Sequence, residues 1–156
     1  MNLSRLGLFL TTLLLLAACH QQRPLCYEYH HTLVEGWDQG RVQTFQTDTV
    51  GASGNYTFEV CLRTTFRYPF QTLWLLVEQH WQDEVRTTRD TVVCEIIDSK
   101  GNPTGKGVSF FQSEHFVTNR LLRKGQTGTI TVRHIMRRDM LPGISEVGIR
   151  IRKNDD

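Results

Sequence analysis

The stretch that decides the fold is "YTFEVCLRT", residues 56–64. Apolar side chains occupy every second position, and mostly polar ones lie between them. The apolar set is Tyr56, Phe58, Val60 and Leu62. Successive side chains of a β-strand point to opposite faces, so this period of two is typical of a strand with one buried face. The pattern predicts a half-buried strand with Cys61 on its polar face.

The same period recurs along the chain. Further strands are predicted at 42–47, 73–77, 91–97, 108–111, 129–136 and 147–152. Segments rich in Gly, Ser, Asn and Lys separate several of them, for example at 51–55, 98–103 and 124–126. Seven or eight short strands joined in this way favour an all-β fold, a single antiparallel β-sandwich, and helix is expected at most over 113–122.

The N-terminus has the parts of a secretory signal. A charged start is followed by the apolar run 6–16 and the small residues Ala17 and Ala18. A membrane-spanning helix needs roughly 20 apolar residues, and this run is shorter. We therefore predict a signal peptide over 1–18, a tether over 19–25 and one β-sandwich domain over 26–156.

Cys19 lies at the boundary between the apolar run and a polar stretch. Leu16-Ala17-Ala18-Cys19 resembles a bacterial lipobox. The resemblance implies cleavage before Cys19 and attachment of fatty acyl chains, such as palmitate, to its thiol and amine. One acyl chain binds a membrane only marginally, whereas three make a stable anchor at about 0.8 kcal/mol per buried methylene. In enterobacteria, an Asp directly after the lipidated cysteine keeps a lipoprotein at the inner membrane. No Asp follows Cys19, which favours the periplasmic face of the outer membrane.

Charge and cysteine content exclude several classes of protein. The formal net charge is +2 and becomes about neutral once Arg5 leaves with the signal, so no nucleic acid partner is expected. Cys26, Cys61 and Cys94 allow at most one internal disulfide and match no zinc spacing. Their strand alternation places Cys61 and Cys94 in opposite environments, which favours packed or free thiols over a bridge.

The sequence contains no recognisable catalytic motif. The chain lacks the Gly-x-Ser-x-Gly motif of hydrolases and the His-Glu-x-x-His motif of zinc proteases. It also lacks a phosphate-binding glycine loop and a Cys-x-x-Cys pair. Ser113-Glu114-His115 holds triad residue types, but neighbours in sequence do not converge as a triad must. We predict a non-enzymatic protein with no cofactor, metal or small-molecule substrate. An enzyme would need His115 or His134 to meet a carboxylate in a cleft.

Two stretches are candidates for docking a partner. Pro69 interrupts two strands and holds Tyr68 and Phe70 at a loop tip, where they either plug the end of the sandwich or dock a partner. Arg137 and Arg138 join them only if their strand ends at the same rim. Otherwise they belong to a solvated connection.

Two short motifs suggest modification. Asp48-Thr49-Val50 and Asp90-Thr91-Val92 resemble the Asp-Thr-apolar tripeptide of periplasmic O-glycosylation in Bacteroidota. Thr49 and Thr91 are the predicted sites.

The order of these features along the chain resembles the gliding-motility lipoprotein family GldH of Bacteroidota. The resemblance is carried by Trp37-Asp38, Phe45, Asn55-Tyr56, Leu62-Arg63, Tyr68-Pro69-Phe70, Leu73 to Val77, Asp90-Thr91, Asp98 to Gly101, Gly105-Lys106-Gly107, Met136-Arg137, Gly143-Ile144 and Val147 to Arg150. It implies a cell-envelope lipoprotein that serves the gliding machinery and type IX secretion, and that docks on other envelope proteins. The alternative is a membrane-anchored carbohydrate-binding sandwich with Trp74, Trp81 and Tyr68 as stacking platforms. That alternative needs at least two of them exposed on one face, whereas Trp74 is expected in the core.

Overall fold

The computed structural model describes residues 23–155. Within these residues, all of the assigned secondary-structure elements are β-strands. The strands are β1 (Cys26–His31), β2 (Trp37–Asp38), β3 (Gln43–Gln46), β4 (Gly54–Thr64), β5 (Thr72–Trp81), β6 (Thr88–Glu95), β7 (Phe111–Leu122), β8 (Gly128–His134), β9 (Met140–Leu141) and β10 (Ile144–Lys153). The all-β prediction is confirmed. The predicted signal peptide, lipobox and Cys19 lie outside the described residues.

The strands form two four-stranded antiparallel sheets and a short ribbon. Sheet 1 has the order β1-β10-β4-β7, sheet 2 has the order β3-β8-β5-β6, and β2 pairs with β9. The core lies between the two sheets, so the predicted antiparallel sandwich is confirmed. The stretch that predicted it is β4, an interior strand of sheet 1, and Tyr56, Phe58, Val60 and Leu62 are all buried.

The prediction that 113–122 could form a helix is wrong, because these residues belong to β7. This strand pairs with β4 from Phe111↔Thr64 to Leu122↔Gly54. The register shifts between Phe58↔Thr118 and Glu59↔Phe116, so Val117 is an extra residue. The extra residue breaks the period of two, which explains why the sequence pattern was weak here. The strand predicted at 108–111 reduces to Phe111 at the start of β7.

The three described cysteines are free and buried. The prediction of free thiols over a bridge is therefore confirmed for Cys26, Cys61 and Cys94. Burial raises the pKa of Cys61 to about 11 and that of Cys94 to about 12, so both stay protonated at neutral pH. The expectation of a polar environment for Cys61 is wrong, since its side chain is fully buried.

The sandwich has two distinct ends. Leu25 enters at the end where β10 finishes, and its backbone N–H donates to Ile151 at 2.7 Å. We call this the tether end. We call the opposite end the distal end. There Thr64, where β4 finishes, pairs with Ile144, where β10 begins. The loops at this end are 32–36, 65–71, 96–110 and 135–143. A ten-residue strand such as β10 is about 33 Å long, which sets the separation of the ends.

Candidate partner-docking surface

Tyr68 of the β4–β5 loop lies in the core. Its side chain is 2 % exposed, and its hydroxyl donates to the backbone oxygen of Thr72 at 2.8 Å. Gly143, at φ +83°, brings its backbone against the loop, and a Cβ there would lie 2.1 Å from the backbone nitrogen of Tyr68. Of the two alternatives for the loop tip, the core plug holds for Tyr68, and its predicted docking role is wrong.

The rest of the loop tip faces a groove at the distal end. Phe70 is half-buried, with its ring edge-on to that of Tyr68 at a centroid distance of 5.7 Å, while Pro69 is exposed. The groove has a volume of about 520 Å³. Its lining is Pro69, Phe70, Trp74, Ile135, Met136, Arg137 and Arg138. The two stretches predicted from sequence therefore meet at one rim, as the docking hypothesis for the arginines requires.

Strand pairing fixes the shape of this groove. The backbone N–H of Ile135 donates to the oxygen of Trp74 at 2.9 Å, which extends the pairing of β8 with β5 beyond the end of β8. The N–H of Trp74 points at the sulfur of Met136 at 3.4 Å. Arg137 and Arg138 directly follow Met136 in the sequence, so the end of the β8–β5 pairing positions them.

The groove opens onto an apolar outer face of sheet 2. Trp74 is 44 % exposed and lies directly across from Val93, which is 47 % exposed. Ile135 is 40 % exposed. The expectation that Trp74 is a core residue is wrong, because the inward positions of β5 are taken by Leu73, Leu75 and Val77.

We define the docking face as the apolar groove and sheet residues together with the arginines around them. It comprises Phe70, Trp74, Leu76, Val93, Ile135, Met136, Arg133, Arg137 and Arg138. Within residues 23–155, none of these arginines has a carboxylate at ion-pair distance. The guanidinium of Arg138 lies 6.0 Å from the centre of the Phe70 ring. The acidic Glu95 is exposed at the end of β6.

The aromatics of the carbohydrate-binding alternative do not form a platform. Trp81 is fully buried at the tether end of β5, and Tyr68 is buried in the distal core. Trp74 is the exposed member of the three. Stacking on a sugar by two of them from one face is therefore impossible in this fold.

Neither histidine of the enzymatic alternative is hydrogen-bonded to a carboxylate among residues 23–155, although Glu95 and Glu114 line the same hollow as His115. His134 is fully buried, and its Nε2 lies 3.2 Å from the backbone oxygen of Trp37. His115 Nε2 lies 2.9 Å from the hydroxyl of Ser113, with no carboxylate hydrogen-bonded to that ring among the described residues. Within the same part of the chain, no cluster of His, Cys, Asp and Glu is suited to hold a metal ion.

Both candidate glycosylation sites are exposed. Thr49 follows β3 and lines a hollow at the tether end together with Arg23 and Pro24. Thr91 lies on β6 and pairs across the sheet with Leu76 of the docking face. Modification of either residue stays a prediction, and a glycan on Thr91 would cover part of the docking face.

The described part of the chain is thus an antiparallel β-sandwich with an arginine-flanked apolar face exposed on one sheet. The family model described as GldH lipoprotein matches residues 25–151, and the chain belongs to that family. The resemblance drawn from the sequence is confirmed. Membership makes the chain a membrane-anchored lipoprotein of a family involved in gliding motility. No helix within residues 23–155 is long and apolar enough to cross a bilayer.

Two relatives match along nearly their whole length. The gliding motility lipoprotein GldH of Flavobacterium johnsoniae is 24 % identical over 163 aligned positions, which cover 99 % of this chain and 100 % of that protein. The GldH homolog of Christiangramia forsetii is 21 % identical, covering 96 % of this chain and 95 % of that protein.

Solved structures resemble the chain only weakly. A protein from Sulfurospirillum deleyianum has a TM-score of 0.47 at 9 % identity, covering 83 % of this chain and 98 % of that one. The 4-O-methyl-α-glucuronidase BtGH115A has a TM-score of 0.48 at 11 % identity, covering 86 % of this chain and 18 % of the enzyme. Neither likeness carries an argument about function.

Proposed function

We propose that this chain is a non-enzymatic, acyl-anchored lipoprotein that docks on other proteins of the cell envelope, in support of the gliding and type IX secretion machinery. The observation that carries the proposal is the docking face. Its apolar groove and sheet surface lie beside three arginines that have no carboxylate partner among residues 23–155. Aromatic and arginine anchors of this kind supply most of the energy of protein interfaces.

The composition of the face indicates the chemistry of its partner. Trp74, Phe70 and Ile135 favour apolar side chains that fill the groove. Arg137 and Arg138 favour carboxylates at its rim, since arginine binds carboxylates in a planar, bidentate arrangement. The partner segment is therefore apolar with an acidic flank.

The face is already ordered before binding. Pro69 restricts the loop, and the hydrogen bond from Ile135 to Trp74 holds the opposite wall. Little conformational entropy is then lost when a partner binds.

The position of the tether supports this arrangement. The chain enters through Leu25 at the tether end of sheet 1, whereas the docking face lies on sheet 2 and reaches the distal end. At 3.3–3.6 Å per residue, a tether over 19–25 can reach at most about 20 Å, which is less than the length of the sandwich. A lipid on Cys19 would therefore leave the docking face free, at the proposed periplasmic face of the outer membrane.

The test is site-specific photo-crosslinking in native membranes from a probe placed at Ile135. We expect crosslinked peptides that are apolar and carry Asp or Glu, and we expect the triple variant W74A, R137A and R138A to lower their yield at least tenfold. The matched control changes Tyr27 and Arg152 to Ala on the outer face of sheet 1, where both are exposed. This control should retain the adducts.

The two parts of the proposal fail separately. Equal adduct yields from the triple variant and the wild type would show that docking occurs elsewhere. Cys19→Ala should release the folded domain from membranes or block its processing. An intact mass showing unmodified Cys19 in the wild type would remove the lipid anchor and leave the docking result untouched.

A further inference from the structure

The sandwich has four edge strands, and three of them are protected. On one side, β1 and β3 are short, at six and four residues, and the ring of His30 on β1 stacks on that of Phe45 on β3 at 4.4 Å. On the other side, β7 is interrupted by the extra residue Val117, and its start is bridged by Lys106 through both backbone hydrogen bonds to Gln112. Short length, bulges and local cover are the usual ways to block an edge.

The fourth edge strand, β6, is regular over eight residues, and β7 contacts its start, where Arg120 donates to the hydroxyl of Thr88 at 2.9 Å. It pairs with β5 from Glu95↔Thr72 to Thr88↔Gln79 without a register shift. The backbone oxygen of Glu95 faces away from β5, where the hydroxyl of Thr104 donates to it at 2.6 Å. Backbone groups of an antiparallel strand alternate between its two edges, so Val93, Thr91 and Arg89 also direct their N–H and C=O groups to the open edge. No other strand in residues 23–155 pairs there.

The outward side chains of β6 are complementary to themselves. Arg89 lies at one end and Glu95 at the other, with Thr91 and Val93 between them, and all four are exposed. Arg89 binds Glu78 of β5 at 2.6 Å, and the other donors of its guanidinium can still reach a second carboxylate. An antiparallel second β6 would bring Arg89 towards the opposite Glu95, whereas a parallel one would align like charges. Opposite charges across a sheet stabilise the pairing, and like charges destabilise it.

We propose that two copies of this chain pair through antiparallel β6 strands centred on Thr91. Thr104 occupies the edge at Glu95, so the free segment runs from Arg89 to Val93, and Thr91 is its midpoint. Arg89 then lies opposite Val93 of the second copy and diagonal to Glu95 of that copy, within reach of a long side chain. The two second sheets become one continuous sheet.

This symmetry fits a lipid-anchored protein. The two-fold axis of an antiparallel strand pair is perpendicular to the sheet, so both docking faces point to one side. Both tethers leave from sheet 1 on the other side, since Leu25 precedes β1. Two anchors can therefore reach the same membrane while two docking faces are presented away from it. A glycan on Thr91 would stand at the centre of the pairing, so that modification and the dimer exclude each other.

The first test is disulfide formation in membranes that carry the full-length protein. Thr91→Cys places the new thiols of two copies opposite each other at a spacing a disulfide allows, and we expect a covalent dimer on mild oxidation. Thr44→Cys, exposed on the short edge strand β3, is the matched control and should stay monomeric. The described native cysteines, Cys26, Cys61 and Cys94, are buried and do not compete.

The second test is a charge exchange, read by sedimentation of the full-length lipoprotein in detergent. Reversing the pair within the chain, with Glu78→Arg and Arg89→Glu together, should weaken the dimer roughly tenfold, and adding Glu95→Arg should restore it, because all of these ion pairs are then only reversed. Arg123→Glu at the tether end, which removes an exposed pair with Asp83, should leave the dimer unchanged. The proposal is overturned if the wild type is monomeric and Thr91→Cys does not crosslink, or if adding Glu95→Arg fails to restore the dimer lost by the reversed pair.

Discussion

The outer faces of the two sheets differ in how their charges are paired. On sheet 1, Arg150 binds Glu59 at 2.8 Å and Glu114 at 2.6 Å, and Glu146 binds both Arg63 and His31. On sheet 2, Arg89 binds Glu78, whereas the arginines beside the exposed Trp74, Val93 and Ile135 have no carboxylate partner within residues 23–155. Both faces expose apolar side chains, which on sheet 1 include Tyr27, Phe116 and Leu121.

Sheet 1 also has a glycine on its outer face, Gly148, that a neighbouring aromatic ring covers. Gly148 lies between Tyr29 on β1 and Cys61 on β4. The ring of Tyr29 lies across this glycine, because a Cβ there would be 2.8 Å from the ring, and Arg63 lies over the same ring at 4.5 Å. The ring thereby buries Cys61 on a face whose charged residues form ion pairs. Sheet 1 pairs its charges internally, whereas the docking face on sheet 2 leaves three arginines for a partner.

The largest expected difference is between the two tryptophans of β5. Trp81→Ala should lower the free energy of unfolding by about 3–5 kcal/mol, since it removes a fully buried ring packed against Phe58 and Gly128. Trp74→Ala on the docking face should cost only about 1 kcal/mol, because its ring is 44 % exposed. Urea unfolding of both variants measures the difference. Equal losses would mean that the outer face of sheet 2 is a structural layer and not a docking face.

A smaller effect is expected at Gly148. Gly148→Ala should destabilise the domain by about 1–3 kcal/mol, since its Cβ would lie 2.5 Å from the backbone oxygen of Glu28 and would push the Tyr29 ring aside. Cys61 should then react faster with a thiol reagent. Gly51→Ala is the control, because nothing lies within 4 Å of its Cβ. Unchanged stability and thiol reactivity in Gly148→Ala would contradict the role given to Tyr29.

The smallest effect is a pH dependence carried by His134, at the end of β8 beneath the docking face. Burial lowers the pKa of His134, and the nearby carboxylates of Asp38 and Asp139 oppose the shift only in part. Below an unfolded pKa of about 6.5 the unfolded chain takes up a proton that the native core excludes, so stability falls as pH falls. Between pH 7 and 5.5 the wild type should lose more stability than His134→Gln, by at most about 1 kcal/mol, the limit for a histidine that stays neutral in the folded state. Parallel losses would show that another group carries the titration, such as His115, whose pKa burial also lowers.

The sequence predicted the sandwich well because each interior strand must bury every second side chain against the opposite sheet, which imposes a two-residue period. On β4 and β10 every inward position faces the opposite sheet, and alternation along 56–62 and 147–151 follows directly. It failed on β7, where an edge strand with an extra residue has no such constraint. It also failed on β5, since the run Leu73 to Val77 is apolar on both faces and its pattern does not say which side is covered.

By itself, the sequence determined the all-β class, the free thiols and the family, because local alternation, residue counts and the order of motifs are properties of the chain. Only the tertiary structure decided that Tyr68 is core and Trp74 is surface, that Arg138 meets Phe70, and that Cys61 is covered by Tyr29. The reason is physical. Burial of a side chain depends on what the neighbouring strand, loop or sheet places over it, and those neighbours are remote in sequence and brought near only by the packing of the two sheets.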